Sequence, residues 1–158
     1  MKVSSILLAI LFIGCSGSNI ESADKLWDSA IEFREKGDLR SSITSFKSII
    51  QNYPNSKFSA KAQFQIADIY LNDVKDYPFA ITEFEELISN HPEATLAKKS
   101  AFMIAYVYSN YLDEYSMGME KYKLFLEKYP NDELVPSVEF ELDGLSKYQS
   151  TIDSLNNL

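Results

Sequence analysis

The stretch Asn52-Tyr53-Pro54-Asn55-Ser56 ("NYPNS") returns in altered form as "NHPEA" at Asn90–Ala94 and as "KYPND" at Lys128–Asp132. Pro54, Pro92 and Pro130 are therefore spaced by 38 residues. A proline keeps the residue before it out of the helical region, so each one marks a point where a helix must stop. Outward from the prolines the chain stays in register. Phe46, Phe84 and Tyr122 precede them at one fixed distance, Ile50, Ile88 and Leu126 at another, and Phe64, Phe102 and Phe140 follow at a third. Ser42, Ala80 and Gly118 give each copy a small residue at the same place.

The spacing within a copy is helical. Ile43, Phe46, Ile49, Ile50 and Tyr53 form one apolar stripe, as do Ile81, Phe84, Leu87, Ile88 and His91, and Met119, Tyr122, Phe125, Leu126 and Tyr129. The segment before each stripe behaves likewise, as in Phe64, Ala67 and Tyr70. Each copy is thus a pair of amphipathic helices, A then B. Gly37 suits the left-handed residue that ends a helix. Asp38 and Asp76 suit the caps of the next one, with Pro78 in its first turn. Ser56 and Asp132 are expected to cap the following A helices.

These residues resemble the tetratricopeptide repeat, whose pattern sets small and aromatic residues at fixed places in two helices. Ile66-Ala67-x₂-Tyr70 and Ile104-Ala105-x₂-Tyr108 match its first helix, and Ala80-x₃-Phe84-x₇-Pro92 its second. Ala30, Phe33, Ser42, Phe46 and Pro54 match in the first copy. The second and third copies carry one extra residue, which the spacing puts in the A–B turn. The longer variant is similar to repeats of the outer-membrane assembly lipoprotein (BamD) and Tol-Pal coordinator (CpoB, YbgF) families. The expected fold is all-α, a right-handed α-solenoid of antiparallel helix pairs. Three repeats, at about 23–56, 57–94 and 95–132, are followed by a capping helix at 134–148 and a C-terminal tail at 149–158.

Composition narrows the function. The chain has 158 residues and a formal charge of −8. No Lys/Arg run supplies the cationic footprint that nucleic acid or an anionic membrane surface needs. Cys15 and His91 are the only residues of their types, which excludes an internal disulfide and paired-His or Cys-rich metal motifs. Phosphate loops, nucleophile elbows and zinc-protease motifs are missing, so neither enzyme activity nor a cofactor is expected. His91 stands where the other copies have Tyr and is expected to pack or cap.

The N-terminus carries its own signal. Lys2 precedes an apolar run from Val3 to Ile13. As a helix that run spans about 16 Å, short of a ~30 Å hydrocarbon core. Ile13-Gly14-Cys15 resembles the end of a bacterial lipobox, with Phe12 in place of the usual Leu. The resemblance implies a signal peptide at 1–14, acylation of Cys15 and a tether at 15–22. The alternative is a soluble secreted chain cut near Gly17 or Ser18.

In tetratricopeptide domains the A helices line a concave groove. Carrying over the groove positions gives Asp24, Trp27, Ile31, Arg34 and Glu35 in the first copy. It gives Lys61, Phe64, Asp68, Leu71 and Asn72 in the second, and Lys99, Phe102, Tyr106, Ser109 and Asn110 in the third. Such a groove suits a peptide or a partner helix. Trp27, Phe64 and Phe102 have a simpler reading as packing between helices. Tyr106, Ser109 and Asn110 are the better groove positions, because cores seldom take Ser or Asn. Leu145, Tyr148, Ile152 and Leu155 extend an apolar stripe beyond the last copy. They either fold onto the third B helix or offer a surface to a basic partner.

The expected function is a non-enzymatic, lipid-anchored scaffold for protein partners, facing the periplasm from the outer membrane and serving in outer-membrane protein assembly. The alternatives are a Tol-Pal or cell-division adaptor, a peptidoglycan-associated protein, a homo-oligomer joined through the terminal helix, or a small hydrolase using Asp68 and Glu35.

Overall fold

The computed structural model describes residues 21–156. The expected signal peptide, Cys15 and most of the expected tether lie outside them. Seven helices follow in order: α1 Ala23–Glu35, α2 Leu39–Asn52, α3 Ser59–Asp68, α4 Tyr77–Asn90, α5 Thr95–Asn110, α6 Tyr115–Lys128 and α7 Val135–Asn156. They form a solenoid of helix pairs, each helix packing on the next.

The three proline corners have one geometry. The residue before each proline, Tyr53, His91 or Tyr129, has φ between −130° and −136° and ψ between 51° and 55°. Its N–H closes the B helix on Ile49, Leu87 or Phe125 at 2.8–2.9 Å. Its carbonyl then accepts from Ser56, Ala94 or Asp132 at 3.0–3.1 Å, which turns the chain. The proline thus imposes on its neighbour a backbone that cannot continue the helix, and does so identically each time. Ser56 and Asp132 act inside the turn rather than as caps. Their side chains accept from Phe58 and Leu134, two residues on, at 3.3 and 3.1 Å.

The A–B turns show where the extra residue goes. In the first copy the Asp38 N–H reaches back five residues to the Phe33 carbonyl. In the others Asp76 and Glu114 reach back six, to Tyr70 and Tyr108. The second copy absorbs the residue inside helix A, not in the turn. Ile69–Val74 widens to a π-helix and ends on Lys75 at φ 61°. In the third copy Leu112 donates to Val107 at 3.2 Å and Asp113 takes φ 55°. Gly37, at φ 78°, serves the first. Asp38 and Asp76 cap as expected, accepting from Ser41 and Phe79.

No repeat buries its apolar face alone. The first core joins Ala30 of α1 and Phe46 and Ile49 of α2 to Ala62 and Ile66 of α3. The second joins Phe64, Ala67, Phe84 and Leu87 to Ala97 and Ile104 of α5. The third joins Ala105, Tyr122 and Phe125 to Val138 of α7. Ala30, Ala67, Ala80 and Ala105 are fully buried where helix axes approach. His91 packs as expected, its Nε2 lying 3.1 Å from Ser59 Oγ.

The segment 149–156 is not a separate tail. It continues α7, which packs on α6 through Val138, Leu142 and Leu145 as far as the Tyr148–Tyr115 ring contact at 4.8 Å. Tyr115 is the first residue of α6, so the last eight residues of α7 run past it by about 12 Å.

Candidate functional site: the A-helix face

Aromatics at one repeat position of the A helices are largely spent inside the stack. Trp27 lies 5.3 Å from Phe46, Phe64 lies 5.3 Å from Phe84, and Phe102 lies 5.8 Å from Tyr122. Each is roofed by the B-helix aromatic of its own repeat. Phe64 is buried, with the Lys99 ammonium 5.0 Å above its ring. Trp27 is also stacked on Phe58, and Ile31 packs on the first core. Packing is therefore the better account of Trp27 and Phe64. Leu71 is core as well.

Charged groove positions pair with each other. The Arg34 guanidinium reaches Asp68 Oδ2 at 2.6 Å, Asp73 Oδ2 at 2.7 Å and Gln65 Oε1 at 2.9 Å. Burial pulls the Arg34 pKa down, but bonds and charge from Asp68 and Asp73 reverse that and raise it. Asn72 fills the other Asp68 oxygen at 2.8 Å. This network ties α1 to the end of α3 and its π-helical turn. It bridges the groove positions of the first two repeats. Both oxygens of Asp68 are engaged, which opposes its use as a hydrolytic acid, and Glu35 is exposed. Asp24 is also exposed, 3.9 Å from Lys57, and Lys61 stands free in solvent.

Ser109 contradicts the expectation of a groove residue. It is 5% exposed and donates its hydroxyl to the Ala105 carbonyl at 3.0 Å. Its own helix satisfies the hydroxyl, which removes the usual cost of burying Ser. Its small size admits Gly118 of α6. A Cβ placed on Gly118 would lie 1.9 Å from Ser109 Oγ.

What remains open is aromatic and belongs to the third repeat. Phe102 and Tyr106 are half-buried and stacked at 6.1 Å. Tyr106 meets Tyr111 edge-on at 6.0 Å, and Tyr111 stacks on Tyr77 at 4.8 Å. This ladder runs from the A-helix face to the A–B turns. Tyr111 is 41% exposed, and Lys99 and Asn110 stand exposed on the same helix as Phe102 and Tyr106. Asn110 donates to the Tyr106 carbonyl at 3.1 Å, which leaves its amide oxygen for a ligand. Tyr77 and Tyr111 were not legible as site residues, because they sit at the first residue of α4 and just past the end of α5, off the helical stripe. Among the described residues no group of three or more His, Cys, Asp or Glu side chains is placed to hold a metal.

Comparisons with known proteins agree with this architecture. The family described as YfiO, outer membrane lipoprotein, matches residues 16–74. No curated protein matches the chain. Among solved structures, the TPR2B domain of yeast Sti1, solved as a complex with pHsp70, superposes with a TM-score of 0.58 at 15% identity. The match covers 80% of this chain and 97% of that one. The fold is thus that of a tetratricopeptide domain, and the chain resembles the outer membrane lipoprotein family over its first helices. Among the described residues no helix is long and apolar enough to cross a membrane.

Proposed function

We propose that this protein is a non-enzymatic scaffold of the bacterial envelope, tethered to the outer membrane by acylated Cys15. It holds a protein partner for outer-membrane protein assembly. The partner segment docks on the A-helix face of the third repeat. The observation that carries this reading is the ladder Phe102–Tyr106–Tyr111–Tyr77 beside exposed Lys99 and Asn110, where the charged groups of the preceding junction pair with each other. Large rigid rings bury much area at little entropic cost, and the neighbouring amide and ammonium orient a backbone or carboxylate. The Sti1 domain, solved with pHsp70, is a precedent for a ligand on this fold. The match to the outer membrane lipoprotein family over residues 16–74 and the lipobox-like Ile13-Gly14-Cys15 support this location.

Co-purification from mildly cross-linked envelope tests the proposal. A partner should be recovered with the lipidated protein and lost with the double substitution Tyr106→Ala, Tyr111→Ala. Recovery of the same partner with both rings removed contradicts this docking face. Recovery of none with the unaltered chain contradicts the scaffold.

A further inference from the structure

The junctions between successive B helices can be compared position by position. Between α2 and α4, over α3, Ile50 and Ile66 line a shallow cavity of about 160 Å³. A polar cluster stops its floor. Gln63 Nε2 donates to Glu83 Oε2 at 2.5 Å and to Glu86 Oε2 at 3.3 Å, and Lys47 Nζ lies 3.8 Å from Glu83. One repeat later, between α4 and α6 over α5, the apolar residues remain as Ile88 and Ile104. The stopper is gone. Gln63 is replaced by Ala101, Glu83 by Lys121 and Glu86 by Leu124, which is 52% exposed. The cavity there is about 310 Å³.

A second polar contact is lost at the same junction. The ring before each proline reaches back to the start of its own repeat. The Tyr53 hydroxyl donates to the Glu21 carbonyl at 2.9 Å, and His91 meets Ser59. The position equivalent to Ser59 is Ala97, and the Tyr129 hydroxyl is buried without a partner. The larger cavity has therefore lost the Gln–Glu cluster that stops the smaller one, and a hydrogen bond in one of its walls.

We infer that this cavity, walled by Ile88, Ala101, Ile104, Leu124 and Phe125, binds one short acyl chain carrying an anionic head. Its volume and apolar lining are those of a small-molecule site. At about 310 Å³ it has room for one short chain and too little for the two chains of a phospholipid. The head is set by charge. Lys121 and Lys128 stand at the rim on one face of α6 against the single carboxylate of Glu85. They make a local cationic edge on a chain of net charge −8. The cavity uses a different face of α5 from Phe102 and Tyr106, so it is separate from the docking face proposed above.

Calorimetric titration of dodecanoate into the full chain with Cys15→Ser, purified without detergent, tests the inference. Saturable one-to-one binding is expected. Ala101→Gln, which restores the side chain of the preceding junction, should weaken it by roughly tenfold or more. Leu124→Glu, at an exposed position that leaves folding intact, should weaken it similarly by opposing the anion. Dodecanol should bind more weakly than dodecanoate. No saturable binding overturns the inference and leaves the cavity to a partner's side chain. Binding that survives both substitutions places the amphiphile elsewhere and also overturns it. Equal affinity for dodecanol overturns the role of the lysines.

Discussion

Replacing Gly118 by Ala tests the closest helix approach in the solenoid. The new methyl would lie 1.9 Å from Ser109 Oγ, 3.1 Å from Ser109 Cβ and 3.3 Å from the Ala105 carbonyl oxygen. Two responses are open. Ser109 can rotate, which breaks its 3.0 Å bond to Ala105 and leaves a buried hydroxyl unpaired, at about 1–3 kcal/mol. Alternatively α6 can withdraw from α5, and disturbing a packed interface costs about 1–3 kcal/mol. Against either stands the gain of Ala over Gly inside a helix, about 1 kcal/mol. The net expectation is a loss of up to about 2 kcal/mol, read by urea unfolding at unchanged slope. Combining Gly118→Ala with Ser109→Ala removes the nearest clash and should recover most of the loss. The two sites should be coupled by about 1 kcal/mol. A Gly118→Ala protein more stable than the parent, or a double variant that adds the two effects, would refute the argument.

Three further expectations follow from burial, charge and backbone. Ala67 is fully buried in the central core, so Ala67→Leu should overpack it and cost about 1–3 kcal/mol, visible as a lower unfolding midpoint. Burial, with the nearby Glu86 charge, raises the Glu83 pKa above the usual carboxylate range despite Lys47. The stability contributed by protonating Glu83 is fully present below its unfolded pKa and is lost as pH rises through the folded value. Glu83→Gln should therefore stabilise the protein near neutrality, with the gain shrinking as pH falls through the raised folded value and absent below about pH 4. Urea unfolding at both pH values checks this, and a pH-independent effect contradicts it. Gly37 has φ 78° with open space around its Cβ direction, so Gly37→Ala should cost about 1–2 kcal/mol through backbone strain alone, measured by thermal unfolding.

The parts legible in the sequence are those where one residue acts on its own neighbourhood. Proline acts on the residue before it, so Pro54, Pro92 and Pro130 announced three equal corners. The apolar stripes announced the buried faces, and Asp38 and Asp76 the starts of B helices. The extra residue of the second copy was placed in the wrong element. Length is fixed by the repeat, but a helix can take up a residue by widening, as Ile69–Val74 does. Arg34 read as a groove cation because its partners Asp68 and Asp73 lie on another helix and carry no local signal. Ser109 read as exposed because residue type suggests water, whereas its hydroxyl is satisfied by its own helix. Tyr111 and Tyr77 were missed because residues at helix ends fall outside the apolar period.

The central functional claim is that a partner lies against the A-helix face of the third repeat. Its most direct test is a photo-cross-linking amino acid placed at Tyr106 in the full chain, irradiated in the native envelope. Thr82, an exposed residue of α4, serves as the control position. A discrete protein adduct from position 106, absent from position 82, is the result expected. Adducts of equal yield from both positions, or none from 106, would contradict the account.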